Sequence, residues 1–169
     1  MRCTRIQLVY TLHLMYANRD LKSPNILVDK HWRVKVCDFN LSRFMEEQCV
    51  LSSLAATNPR WLAPEILSGQ GYTFSSDVYS FGIILWELMT WQVPWHDSGP
   101  WQVVAMVTEG KQRPEVPQAA ALPCGDFPGL AEYVALMRDC WAQDAAMRPT
   151  FGTVITRLRC VCMHMYCSQ

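Results

Sequence analysis

The run from Val78 to Met89 is apolar on nearly every face of a helix. Such a helix has no side to give to water, so it must lie inside a core with other elements wrapped around it. Ser75-Ser76-Asp77 just before it reads as a helix-start signal. Its greasiest part, Phe81 to Met89, is far too short to span a bilayer, and Glu87 interrupts it. The helix therefore predicts a globular core and no membrane segment. At 169 residues and 50% hydrophobic, the chain is long and apolar enough to surround it, which excludes a disordered tail. Lys plus Arg number 15 and Asp plus Glu number 15, so no basic excess points to nucleic acid and no polybasic run to a lipid surface. The segment up to Tyr16 lacks a small-residue cleavage pattern, which predicts no secretory leader. The eight cysteines then read as reduced thiols in a cytoplasmic protein.

The rest of the chain sorts into short β runs followed by helices. Residues 5–16 are apolar and predict a helix. Asn25 to Asp29 and Trp32 to Cys37 are β-branched runs around an Asp29-Lys30-His31 turn, which predicts a hairpin. Residues 38–62 hold no lasting periodicity and predict a long loop, a feature that in compact domains is usually functional. Trp101 to Val107 predicts a shorter helix. Leu130, Val134, Met137 and Trp141 form an amphipathic stripe. Phe151, Val154, Ile155, Leu158, Val161 and Cys162 form another, behind Thr150 as candidate cap. Pro94 to Pro100 and Pro114 to Gly129 are connections. The tryptophans read as core, Trp61 and Trp86 especially. The expected fold is one mainly α domain with a small β ribbon near its start.

Several short motifs recur in a telling order. Asn18-Arg19-Asp20-Leu21-Lys22-Ser23-Pro24-Asn25 comes first, and Asp38-Phe39-Asn40 follows a β run. Ala63-Pro64-Glu65 closes the long loop. Asp77-Val78-Tyr79-Ser80-Phe81-Gly82 opens the buried helix, and Arg148-Pro149-Thr150 opens the last one. Taken together they resemble the C-terminal lobe of a eukaryotic protein kinase. Their wording is most similar to the tyrosine-kinase-like group, the Raf-like kinases. The resemblance covers about residues 12–158, the core of one partial catalytic domain spanning 1–169.

That resemblance implies transfer of the γ-phosphate of ATP, with Mg²⁺, to a protein substrate. Such chemistry needs metal on the phosphate oxygens, a group to position the attacking hydroxyl, and cations for developing charge. Asp20 would orient the hydroxyl and accept its proton. Lys22 would reach the γ-phosphate, and in this family a Lys there resembles the Ser/Thr-specific loop. Asn25 and Asp38 are hard oxygen donors suited to Mg²⁺. Leu27 would match the apolar floor under the adenine ring. Arg19 would bind a phosphorylated loop residue, with Ser52, Ser53 and Thr57 as candidates. Glu65 and Arg148, far apart in sequence, would form a buried ion pair. Asp77 would hydrogen-bond the backbone of the Asn18-Arg19 loop. Each residue also has a bland reading: a turn cap for Asp20, a solvated Lys22, a strand-edge turn for Asn25, plain core for Leu27, ordinary loop hydroxyls, and a helix N-terminal carboxylate for Asp77.

The chain departs from the family pattern in places. No G-x-G-x-x-G loop and no V-A-I-K strand occurs, so the resemblance implies an N-terminal lobe carried by a longer isoform. Asn18 replaces the His of H-R-D, which predicts a looser packing there. Asn40 replaces the Gly of D-F-G, and Asn is the residue next most tolerant of left-handed backbone. Asn58 stands where Ser/Thr kinases carry a Thr that bonds the catalytic Asp. Cys160, Cys162, His164 and Cys167 can be counted as four zinc ligands, but the helical stripe running through Cys162 favours a reduced helix tail. The competing function is a pseudokinase-like interaction module docking through the surface around Trp91 to Trp101, or an inactive fragment.

Overall fold

The computed structural model describes residues 18–38 and 59–167, with side chains to residue 164. The predicted helix over 5–16 lies outside the described residues, as does the stretch 39–58 of the predicted long loop. The first described element is an antiparallel hairpin of β1 (Ile26–Val28) and β2 (Val34–Val36), with Ile26 opposite Val36 and Val28 opposite Val34. Asp29 makes the turn. Its carboxylate accepts the Arg33 and His31 N–H groups at 3.0 and 2.8 Å and the Arg33 Nε–H at 2.7 Å. The backbone N–H of Arg33, ahead of the other bonds, pulls Asp29 down to about 2.

Five α-helices follow among the described residues: α1 (Pro64–Leu67), α2 (Phe74–Thr90), α3 (Pro100–Thr108), α4 (Leu130–Cys140) and α5 (Phe151–Cys167). The centre is α2, whose Val78, Tyr79, Phe81, Ile83, Ile84 and Leu85 are all buried. It starts earlier than the Ser75-Ser76-Asp77 signal suggests. Thr73 is the extended N-cap, and its N–H donates to Ser76 Oγ at 3.2 Å. With several adjacent polar residues, backbone geometry decides which one caps, and composition does not. The short α1 was not expected. Pro64 opens it, where its missing N–H costs no helix bond.

Helix α4 crosses α2 at Gly82. A Cβ there would meet Cys140 Cβ at 2.9 Å and Trp141 N at 3.1 Å, so only glycine allows this approach. Tyr133 Oη donates to the Leu85 carbonyl at 2.9 Å across the same interface. Phe151 of α5 meets Phe81 edge to face, with centroids 5.8 Å apart. Thr150 caps α5, its Oγ1 accepting the Thr153 N–H at 3.2 Å.

The tryptophans divide, which corrects the reading of all of them as core. Trp61, Trp86 and Trp141 are buried, whereas Trp32, Trp91 and Trp101 are about 70% exposed. Trp32 stands in the hairpin turn and Trp91 just past the end of α2, both with left-handed backbone. Trp101 is on the outer side of α3's first turn. No described helix is long and apolar enough to cross a membrane.

Candidate active site

The first described loop, Asn18 to Lys22, is tied to the central helix by one carboxylate. Asp77, in the first turns of α2, accepts the Asn18 N–H on Oδ2 at 2.6 Å and the Arg19 N–H on Oδ1 at 3.2 Å. Arg19 thereby takes up a left-handed backbone, with φ of 66°. For a residue with a Cβ that conformation is uncommon, and the anchor holds it. Asn18 is fully buried, and its Oδ1 accepts the Asp20 N–H at 3.2 Å. Its Nδ2 has no partner among the described residues. The substituted position is thus built into the loop by two bonds, through its backbone N–H and its Oδ1.

Burial pushes the Asp77 carboxyl up to about 6, against the pull of the two N–H donors. Between its ordinary 3.8 and about 6 the folded chain holds a proton that the unfolded chain has released. That contribution is fully present below 3.8 and is lost as pH rises through about 6. Urea unfolding of wild type and Asp77→Asn should show it. The stability of wild type relative to the variant is expected to fall by about 2 kcal/mol between pH 4 and pH 7. A constant difference would mean that the group titrates at its ordinary value.

Asp20 is the hub. Its Oδ2 accepts Lys22 Nζ at 2.7 Å and Asn25 Nδ2 at 2.9 Å, and the same amide donates to the Asp20 carbonyl at 2.9 Å. Both Asp20 and Asn25 are buried. The two donations fix the orientation of the Asn25 amide and leave its Oδ1 as the lone-pair atom facing elsewhere. Asn25 ends a 3₁₀ turn (Ser23–Asn25) that leads directly into β1. Its carbonyl accepts the Cys37 N–H at 2.9 Å and the Cys37 thiol at 3.3 Å. The hairpin thus pairs Asn25 with Cys37, and Asp38 follows one residue beyond. Asp38 is exposed and also left-handed, with φ of 62°. Leu27, on β1, is 56% exposed, so it is not plain core.

Glu65 and Arg148 meet although 83 positions separate them. Arg148 Nη1 and Nη2 lie 2.7 and 2.8 Å from the two carboxylate oxygens. Burial raises the Glu65 carboxyl, but the bonds and charge of Arg148 outweigh it and the net is below the ordinary 4.5.

Sequence reasoning missed Ser23, Trp61 and Glu87. Glu87 Oε1 accepts Ser23 Oγ–H at 2.8 Å, and Oε2 accepts Trp61 Nε1–H at 2.9 Å. The signal was present: Glu87 is the one charged residue in the apolar run from Val78 to Thr90. Phe39, Asn40, Ser52, Ser53, Thr57 and Asn58 lie outside the described residues. Among the described residues no group of three or more His, Cys, Asp or Glu is placed to hold a metal ion. Cys160 and Cys162 lie along α5 as thiols.

The family model described as protein tyrosine and serine/threonine kinase matches residues 9–158. Similar proteins include the serine/threonine-protein kinase CTR1 of Arabidopsis thaliana, 44% identical over 84% of the chain and 16% of that protein. The probable serine/threonine-protein kinase SIS8 of Arabidopsis thaliana is 40% identical over 89% of the chain and 14% of its own length. The probable serine/threonine-protein kinase drkA of Dictyostelium discoideum is 41% identical over 85% of the chain. The chain spans about a fifth of that protein (21%), so it corresponds to a small part of each of these relatives.

Proposed function

The chain belongs to the protein tyrosine and serine/threonine kinase family, and on that premise we propose that it is the catalytic lobe of a Raf-like serine/threonine protein kinase. It would transfer the γ-phosphate of ATP to Ser or Thr of a protein substrate in the cytoplasm. The lobe is one domain with its core from about residue 12 to 158, completed by an N-terminal lobe in a longer isoform. Family membership implies ATP and a divalent metal. The observation that carries the reading is the convergence of Lys22 Nζ and Asn25 Nδ2 on one oxygen of Asp20. A base is thereby in contact with a cation and with a side chain that carries an oxygen donor for metal.

The donor set fits Mg²⁺, because Asn25 Oδ1 is left for a cation once its amide is spent on Asp20, and Asp38 adds a carboxylate. Bound there, the metal supplies neutralisation of charge on the phosphate oxygens. Asp20 orients the substrate hydroxyl and takes its proton. Lys22, whose ammonium donates to Asp20 Oδ2, contacts a γ-phosphate oxygen. Leu27 offers an exposed apolar face for the adenine ring. Arg19 pairs with a phosphate on Ser52, Ser53 or Thr57. Lys22 and the serine/threonine kinases among the relatives support the choice of Ser/Thr over Tyr.

Calorimetric titration with Mg²⁺–ATP tests the reading. Asp38→Ala is expected to weaken binding about 10- to 100-fold, the equivalent of about 1.5–3 kcal/mol for a lost bond to a charged group. A wild-type chain that gives no heat at millimolar nucleotide would favour the second reading, an interaction module. Exposed Trp91, Val93 and Trp101 are the observation behind that one.

A further inference from the structure

We propose that a basic cleft between the α3–α4 connection and the C-terminal end of α4 binds a phosphoserine or phosphothreonine of a protein segment, with Lys111, Arg113 and Arg138 holding the phosphate. The site stands whether or not the chain transfers phosphate, since none of these residues belongs to the Asp20 cluster. The cleft has a volume of about 520 Å³, and all three cations line it together with Gln143. None of its lining residues is acidic. In a chain with 15 basic and 15 acidic residues, that local excess is not the average of the surface. The acids next to the lining residues in sequence are engaged elsewhere. Asp139 pairs with Arg157 at 2.6 Å, and Asp144 caps the turn Ala145–Met147, accepting the Ala146 N–H at 2.9 Å. Glu115 stands between two lining residues and is not itself one of them. Lys111 and Arg138 are exposed, and their side chains have no ion-pair or hydrogen-bond partner among the described residues.

Arg113 is built into the wall of the cleft. Its Nε donates to the Trp141 carbonyl at 2.8 Å, Nη1 to the Gln112 carbonyl at 2.7 Å and Nη2 to Gln143 Oε1 at 2.8 Å. Those bonds fix the guanidinium plane and leave N–H groups on both Nη atoms for a ligand. Arg113 and Arg148 pack on the same Tyr79 ring, 5.0 and 5.1 Å from its centre. Arg148 has a carboxylate, that of Glu65, whereas Arg113 bonds neutral oxygens. Burial pulls the Arg113 guanidinium below its ordinary value, and an anion in the cleft offsets that cost. Competing acceptors at the end of α4 are used up. The Trp141, Ala142 and Gln143 carbonyls accept from Arg113 or Arg148 at 2.8, 2.9 and 3.3 Å, which satisfies the negative end of the helix. Gln143 spends its oxygen on Arg113 and keeps its amide N–H₂ as a donor. A phosphate monoester fits this set better than a carboxylate. It carries a charge of about −1.5 to −2 and three acceptor oxygens, enough for two guanidiniums and an ammonium together. The apolar wall of Pro114, Val116 and Trp141 suits the peptide on either side of the phosphate. The balanced charge of the chain and its lack of a polybasic run disfavour a nucleic acid or a lipid surface.

Two probes test the site without knowledge of the partner. Inorganic phosphate, titrated into the ¹⁵N-arginine-labelled chain, is expected to shift the Arg113 and Arg138 Nε resonances saturably. Resonances that stay in place overturn the proposal, even if other arginines respond. A degenerate library of phosphoserine and phosphothreonine peptides is then compared with the same library unphosphorylated. The phosphorylated peptides that bind are expected to bind about 10-fold or more tighter than their unphosphorylated forms. K111Q and R138Q are each expected to cut that ratio about three- to tenfold, and K111Q/R138Q to erase it. Both side chains are exposed, so these variants keep the fold, whereas Arg113 is left intact because its bonds join the α3–α4 connection to α4. A ratio near one in the wild-type chain overturns the proposal. So does a ratio that survives in K111Q/R138Q, since the phosphate then sits elsewhere, for instance beside Arg19. Mixed phosphatidylcholine–phosphatidate vesicles are the third arm. Retention on them with no preference for phosphorylated peptides would put a membrane in place of the protein segment and overturn the proposal. Should the double variant not fold, the phosphate titration and the library on the wild-type chain decide alone.

Discussion

Arg148→Met is expected to lower the free energy of unfolding by about 3–5 kcal/mol, because it leaves a buried carboxylate without its counter-charge. The guanidinium spends every N–H it has. Nη1 donates to Glu65 Oε1 at 2.7 Å and to the Ser75 carbonyl at 3.0 Å. Nη2 donates to Glu65 Oε2 at 2.8 Å and to the Gln143 carbonyl at 3.3 Å, and Nε to the Ala142 carbonyl at 2.9 Å. Its side chain is wholly buried, against one face of the Tyr79 ring with Arg113 near the same ring at 5.0 Å. One substitution therefore removes the counter-charge of Glu65, which keeps the Ser76 hydroxyl at 3.0 Å, and a donor from each of three carbonyls in α2 and the α4–α5 connection. Arg148→Lys should be nearly as damaging, since an ammonium has three donors and no fork to match the carboxylate. In thermal unfolding the loss amounts to about 10 °C or more for a chain of this size. A shift of a degree or two would show that the pair contributes little. Glu65→Leu/Arg148→Met should be less destabilised than the sum of the singles, because no charge is then left alone. Since Glu65 titrates below its ordinary 4.5, its contribution is present above that pH and is lost as pH falls through the folded value.

How much of this could be read from residues alone depends on the range of the signal. The hairpin and the stripes of α4 and α5 are local, and periodicity with a turn residue such as Asp29 suffices to find them. The start of α2 is also local but was misplaced, because Thr73, Ser75, Ser76 and Asp77 are all acceptable caps and only the extended backbone of Thr73 distinguishes them. Burial of an individual tryptophan is not local. Trp86 lies on α2 and Trp91 follows its last residue, yet one donates to the Glu115 carbonyl at 2.6 Å inside the core and the other stands at the left-handed helix end in water. The contact of Glu65 with Arg148 has no spacing signature at all. Only the resemblance made it readable. Glu87 shows the opposite failure: a charge in an apolar run was used to argue against a membrane, while its meaning as an acceptor for Ser23 and Trp61 depended on chain segments that sequence could not bring together.

Asp20→Asn is expected to lower kcat for phosphotransfer about 10²- to 10⁴-fold while leaving binding of Mg²⁺–ATP within a few-fold of wild type. The amide is isosteric, and its oxygen can accept from both Lys22 Nζ and Asn25 Nδ2, the bonds that Asp20 Oδ2 accepts at 2.7 and 2.9 Å. The loop should therefore keep its shape, held as it is by Asp77 on the other side. What the amide cannot do is take a proton from a hydroxyl or orient it as a carboxylate does. The variant thus separates chemistry from assembly. Asp38→Ala should lose nucleotide, whereas Asp20→Asn should bind nucleotide and not use it. Initial rates on a Ser/Thr peptide together with the Mg²⁺–ATP titration distinguish the two. A rate unchanged in Asp20→Asn would remove Asp20 from the chemistry. A joint loss of rate and nucleotide binding would mean that its carboxylate is needed to build the site.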